Sequence, residues 1–274
     1  MKTKFLHIAT ALLFAGFTSS CSDFLDRYPL DELSDSSFWK TENDAMMAVT
    51  DIYGCLPTWD QDEDINSDNA VHGIKWAAGN ISKGIYDPMD QSWAGSYTPI
   101  RQCNLVLEKV KDIEMSDESR KKIEGQAYFF RAFVYFNLIR SFGDVPYIDK
   151  PLNLTDVEDI TRTPREEVYA KVMADFDKAI EYLPEEWDAA NTPRVTKGAA
   201  LAMKARAALY YNNWQVAADA SKAVMDLGKY ELYDAGNTGK YQELFWEKSD
   251  GCDENILYVQ FNYPDKTHYL IGWE

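Results

Sequence analysis

The chain has 274 residues, 46% hydrophobic and 27% charged, with 8 Trp and 17 Tyr. That composition excludes a disordered chain and supplies apolar area for a sizeable core in one large domain or two small ones. A net charge of −17 repels phosphate backbones and anionic headgroups, which disfavours nucleic acid as a partner. The four cysteines, at 21, 55, 103 and 252, are too few for a disulfide scaffold and lack the C-x-x-C spacing of thiol redox or zinc sites.

Lys2 and Lys4 precede a mostly apolar stretch, Phe5 to Phe17, which ends in Thr18-Ser19-Ser20 before Cys21. This pattern is a secretory signal peptide over residues 1–20. The stretch is too short to span the roughly 20 residues of a membrane helix. Cys21 behind small residues resembles a bacterial lipobox, in which the thiol is acylated, although Thr18 stands where leucine is usual. Ordinary cleavage with Cys21 merely nearby is the alternative. The pairing of Cys55 with Cys103 is left open.

Thr41 is placed to cap a helix whose apolar positions Ala45, Ala48, Val49, Ile52, Tyr53 and Leu56 follow helical spacing, with Pro57 as its stop. Residues 57–92 then lack clear periodicity and are rich in Asp, Asn, Gly and Trp. A structureless stretch of that length is uncommon unless functional. Within it Trp59, Asp68, Trp76, Asn80 and Tyr86 offer aromatic plates beside amide and carboxylate groups, which a sugar requires for its apolar face and its hydroxyls. The alternative is a tryptophan packed on the helices and an asparagine in an Asx-turn. Asp60, Asp62, Asp64, Asn66 and Asp68 alternate as in a calcium loop, but neither register places Gly at the sixth position or Glu at the twelfth. A solvated acidic loop is the favoured reading, and no cofactor is expected.

A second helix is predicted over about 93–113, started or kinked by Pro99. Ser116 caps a third, apolar on nearly all sides from Ala127 to Ile139 and ended by Gly143. Arg131 within it needs a carboxylate or carbonyls as partners. Asp144 to Ile148 reads as a short extended segment. Thr163-Pro164-Arg165-Glu166 reads as a capping box with proline at the first helical position, followed by a buried stripe of Val168, Val172, Phe176, Ala179 and Leu183. Thr196 caps a fifth helix to about Asn212, and a sixth runs from about Trp214 to Leu227, with Gly228 as its stop. Asn255 to Phe261 reads as a strand.

Catalysis finds little support. His7, His72 and His268 are the only histidines, and His7 lies in the leader, so a histidine triad has little to work with. Carboxylate pairs suited to glycoside hydrolysis are nonspecific in so acidic a chain, and no Gly-rich phosphate loop is present.

The helix pairs joined by short turns suggest degenerate tetratricopeptide repeats. Phe176 and Ala179-Ile-Glu-Tyr-Leu-Pro184 resemble the end of one, and Asn213-Trp-Gln-Val-Ala217, with Ala205 before it, the opening of another. The fold class is therefore all-α with minor β, made of tetratricopeptide-like pairs with long inserted loops. Cys21-Ser-Asp-Phe-Leu-Asp26, Phe38-Trp39, Trp93-x-x-x-Tyr97-x-x-Ile100-x-x-x-Asn104, Ala127-Tyr-Phe-Phe-Arg131 through Gly143-Asp-Val-Pro146, Arg194-Val-Thr-Lys-Gly-Ala-Ala200 and Gly228-Lys-Tyr-Glu-Leu232 together resemble the SusD/RagB family of surface lipoproteins from Bacteroidetes.

The resemblance implies an outer-membrane, surface-exposed lipoprotein anchored through Cys21. It would act as the lid of a SusC-like TonB-dependent transporter that imports oligosaccharides or, in some members, peptides. It implies binding without catalysis, and glycan contacts in the loop that holds Trp76 and Asn80. A repeat scaffold that binds only protein is the rival. Family members are considerably longer, so residues 21–274 are expected to be an N-terminal part of such a domain.

Overall fold

The computed structural model describes residues 38–57, 84, 93–233, 241–245 and 251–261. The chain divides into two units, residues 1–40 and 41–274. In the first, the rings of Phe38 and Trp39 meet edge to face.

The second unit is built on six α-helices among the described residues: α1 Glu42–Ile52, α2 Trp93–Lys109, α3 Asp117–Phe142, α4 Arg165–Tyr182, α5 Lys197–Tyr210 and α6 Trp214–Asp226. Their starts follow from local chemistry. A helix leaves its first backbone N–H groups without partners, and a short oxygen-bearing side chain just before it can accept from one of them. Thr41 does so at α1, accepting from the Asp44 N–H while the Asp44 carboxylate accepts from the Thr41 N–H, a complete capping box. Ser116 accepts from Ser119 at α3, and Thr196 from Ala199 at α5. Gly143 and Gly228 follow α3 and α6 with φ of 72° and 62°, where a side chain would be strained.

Packing is mostly between neighbours in sequence. α3 lies along both α2 and α4, α4 along α5, and α5 along α6, while α1 packs on α2 and α3. This is the arrangement of tetratricopeptide-like repeats, in which each helix pair buries its apolar face on the next. The α3 segment predicted to be apolar all round is the centre of the core: Phe129, Phe130, Ala132, Tyr135 and Phe136 are all buried. So is the α4 stripe of Val168, Val172, Phe176, Ala179 and Leu183.

Several expectations are corrected. α1 ends at Ile52, and Tyr53–Cys55 form a 3-10 turn before Pro57. Of the two roles expected for Pro99, it does not start α2 but lies inside it. Thr163 does not cap α4. Its N–H and carbonyl pair with Val145 in an isolated antiparallel bridge, Pro164 becomes the residue before the helix, and the Asp144 carboxylate accepts from the Arg165 N–H at 3.0 Å. The bridge brings Asp144 to the helix start, so a carboxylate 21 residues earlier replaces the local cap. Ala205 is only half-buried, and Ala207 and Ala208 make the tight packing instead. Residues 255–261, expected as a strand, join no β-ladder among the described residues, and the backbone bends at Ile256 and Leu257.

Candidate functional site

The predicted ligand residues Trp59, Asp68, Trp76, Asn80 and Tyr86 lie outside the described residues, as do Cys21, the acidic run 60–68, His72 and His268. The scaffold at both ends of the 58–92 segment is described.

At the exit, Tyr53 is tied down by groups from distant parts of the chain. Its hydroxyl donates to Gln126 Oε1 at 2.8 Å and accepts the Val195 N–H at 2.9 Å. Arg194 donates to the same Gln126 oxygen at 3.2 Å and to Thr50 Oγ1 at 3.0 Å, with its guanidinium 5.8 Å from the centre of the Tyr53 ring. Gln126 completes its bonding by donating to the Lys122 carbonyl at 3.0 Å. Burial pushes the Tyr53 phenol well above its ordinary value, against the pull of the Val195 N–H and the Arg194 charge, so the hydroxyl stays protonated and able to donate. Each polar group of the cluster therefore has a partner, as burial demands.

At the re-entry, the Trp93 ring stands edge-on to Phe142, with centroids 5.0 Å apart, and the Arg162 guanidinium lies 5.7 Å from the Trp93 centroid. One turn later, Tyr97 donates to the Pro146 carbonyl at 3.0 Å. The described chain thus ends before residue 58 and resumes at Trp93 at fixed points on the helical layer.

Arg131 has the partners its buried position requires. Nε and Nη2 donate to the two oxygens of Asp175, each at 2.7 Å, and Nη1 donates to Asn104 Oδ1 at 2.8 Å. Asn104 in turn donates to the Ile148 carbonyl at 2.9 Å, and Tyr135 accepts the Ile148 N–H at 2.7 Å. Burial disfavours the Arg131 charge, but the bonds and charge of Asp175 outweigh it and hold the guanidinium protonated. This network locks the turn after α3 against α2 and α4, which makes it structural. The links among Tyr53, Gln126 and Arg194 left no mark in the sequence, because they join residues 68 and 73 positions apart.

A groove of about 1380 Å³ lies between the α1–α2 ends, the second half of α3, α5 and residues 254–261. Phe133, Phe136, Met203 and Leu257 give it apolar walls, and Asn137 and Arg206 add polar groups. Among the described residues no cluster of His, Cys, Asp and Glu is placed to hold a metal ion, and no helix is long and apolar enough to cross a membrane. Cys55, Cys103 and Cys252 are free thiols.

The helix stack and its neighbour-to-neighbour packing define a tetratricopeptide-like scaffold. Residues 24–209 match the model of a SusD-like family described as "Starch-binding associating with outer membrane", and the chain belongs to that family. It is 29% identical to SusD-like protein P2 of Formosa agariphila over 276 residues, 95% of this chain and 53% of that protein. A SusD-like protein of Bacteroides ovatus is 25% identical, covering 95% of this chain and 50% of its own length. The crystal structure of a SusD-like protein from Bacteroides fragilis superposes with a TM-score of 0.75 at 28% identity, over 87% of this chain and 48% of that one. A laminarin-binding SusD-like protein shares the fold, with a TM-score of 0.71 at 23% identity. The chain spans about half the length of the curated relatives it matches.

Proposed function

We propose that this protein is a surface-exposed glycan-binding lipoprotein, held at the outer membrane through lipid on Cys21, that acts as the lid of a SusC-like TonB-dependent oligosaccharide importer. Residues 1–20 are its signal peptide and residues 21–274 belong to its SusD-like helical domain. The observation that carries the reading is the family match over residues 24–209, whose description names both starch binding and the outer membrane. The net negative charge, with Trp59 and Trp76 set among acids and amides between Pro57 and Trp93, fits a neutral sugar better than a polyanion. Trp76 and Asn80 are the proposed plate and amide of the site, with Trp59, Asp68 and Tyr86 around them. The protein binds and hands on its ligand without transforming it.

Calorimetric titration of starch- and laminarin-derived oligosaccharides, with a peptide panel alongside, tests the reading on the protein and on Trp76→Ala. Heat with a sugar that the variant abolishes is the expected result. Heat with peptides alone would keep the importer lid and change its cargo. No heat with any ligand would favour a protein-binding scaffold and reject the sugar site.

A further inference from the structure

Large apolar side chains stay in the open at the corner between α5 and α6, on a backbone that is held firmly. Leu209 and Tyr210, at the end of α5, are 53% and 55% exposed, and Trp214, which opens α6, is 61% exposed. The turn between them makes its own hydrogen bonds, with the Asn212 N–H on the Leu209 carbonyl at 3.2 Å and the Asn213 N–H on the Ala208 carbonyl at 2.9 Å. Asn212 takes a φ of 57°, which asparagine tolerates better than most residues. Rings on either side anchor the corner to the scaffold. Tyr211 stacks on Tyr169 of α4 with centroids 4.3 Å apart, and Tyr210 stands edge-on to Phe136 of α3 at 5.4 Å. The side chains of Arg206, one turn before Tyr210, and of Asn212 are exposed and make no hydrogen bond or ion pair among the described residues. Asn213 stands at the N-cap of α6 without making a capping bond.

We propose that this corner is a second sugar-binding surface, on which Tyr210 and Trp214 offer plates to the C–H face of a neutral oligosaccharide and Arg206, Asn212 and Asn213 bond its hydroxyls. Chemistry chooses that occupant. A sugar ring has an apolar face and a rim of hydroxyls that both donate and accept, and the corner supplies aromatic area beside amide and guanidinium groups. Size argues against a protein partner. Three large side chains a little over half exposed offer roughly 300–400 Å², about half of the ~800 Å² per partner that a stable protein interface buries. The net charge of −17 argues against a polyanion. A ring already pinned, as Tyr210 is by Phe136, loses little side-chain entropy when a ligand settles on it. The inference rests on the glycan reading of the protein, but it shares no residue with the site proposed between Pro57 and Trp93.

Fluorine NMR of the protein labelled with 5-fluorotryptophan tests it, the Trp214 signal being assigned by its loss in Trp214→Phe. Maltoheptaose or laminariheptaose should move that signal saturably, and should still do so in Trp76→Ala, which separates this surface from the other site. Arg206→Ala combined with Asn212→Gly should weaken the binding roughly threefold or more. The melting temperature should hold, because neither side chain makes a polar contact in the fold among the described residues. Three results would each overturn the proposal: a Trp214 signal that neither sugar moves, a shift that disappears in Trp76→Ala, or binding that the Arg206→Ala/Asn212→Gly change leaves intact. A Trp214 signal that moves on diluting the protein and not on adding sugar would assign the corner to a contact between copies, and overturns it as well. Sugar that moves other tryptophan signals and leaves Trp214 still would retain the glycan reading and reject this surface alone.

Discussion

Arg131 on α3 and Asp175 on α4 lie 44 residues apart and meet through two parallel hydrogen bonds of 2.7 Å, both side chains almost wholly out of water. Two charges held this way have no solvent to fall back on when one of them is removed. Asp175→Ala is therefore expected to cost about 3–5 kcal/mol, because it leaves the guanidinium buried and uncompensated. The double variant Arg131→Met/Asp175→Leu should recover most of that loss and retain about 1–3 kcal/mol, since Asn104 Oδ1 then lacks its donor. Urea denaturation of the three proteins measures both numbers. A double variant no better than the single one would mean the pair does more than compensate itself.

Tyr53→Phe removes one oxygen and strands the Val195 N–H, while Gln126 Oε1 keeps Arg194 as a donor. The expected cost is about 1–3 kcal/mol. Combining it with Gln126→Leu should cost less than the sum of the single changes by about 0.5 kcal/mol or more, as residues of one network do. A strictly additive cycle in thermal melts would contradict the shared network.

Gly198 opens α5 directly beneath Tyr230. A Cβ at that position would collide with the Tyr230 ring, whose hydroxyl bonds Thr196 Oγ1 at 3.0 Å. Gly198→Ala should therefore destabilise by about 1–3 kcal/mol, the usual range for overpacking, and Tyr230→Ala in the same chain should relieve part of it. Melting temperatures of the two variants decide the point.

Burial pushes the Cys55 thiol up to about 12 and raises that of Cys103 well above its ordinary value. The thiolate is the reacting form, so at pH 8 Cys55 should alkylate about a thousandfold more slowly than a free thiol with a pKa near 8.5, by the thiolate fractions alone. The rate should climb about tenfold per pH unit through pH 11. The linked effect on stability has one sign. Below the unfolded thiol's pKa both states keep the proton and nothing changes; above it the unfolded chain releases the proton more readily, so stability falls as pH rises. Mass spectrometry after timed iodoacetamide pulses reads the rates. Fast labelling of Cys55 in the folded protein would contradict its burial.

The sequence by itself determined whatever rests on residues within a few positions of one another. Thr41, Ser116 and Thr196 were legible as helix starts because each bonds an N–H only three residues ahead. The apolar stripe of α4 and the all-round apolar stretch of α3 follow from a fixed 3.6-residue period, and the need of Arg131 for a partner follows from desolvation alone. What determines the family is likewise written along the chain.

Tertiary structure alone decided which groups meet across long separations. Asp175 was one acid among many until α4 folded onto α3. The Thr163 cap was plausible locally, and it lost to a bridge with Val145 that delivers Asp144 instead. Asn255–Phe261 has the composition of a strand, but a strand exists only within a ladder, and the structure places these residues in no β-ladder among the described residues. Caps and periodicity are settled within one turn of helix, whereas ion pairs, bridges and ladders need a partner whose position only the folded chain can set.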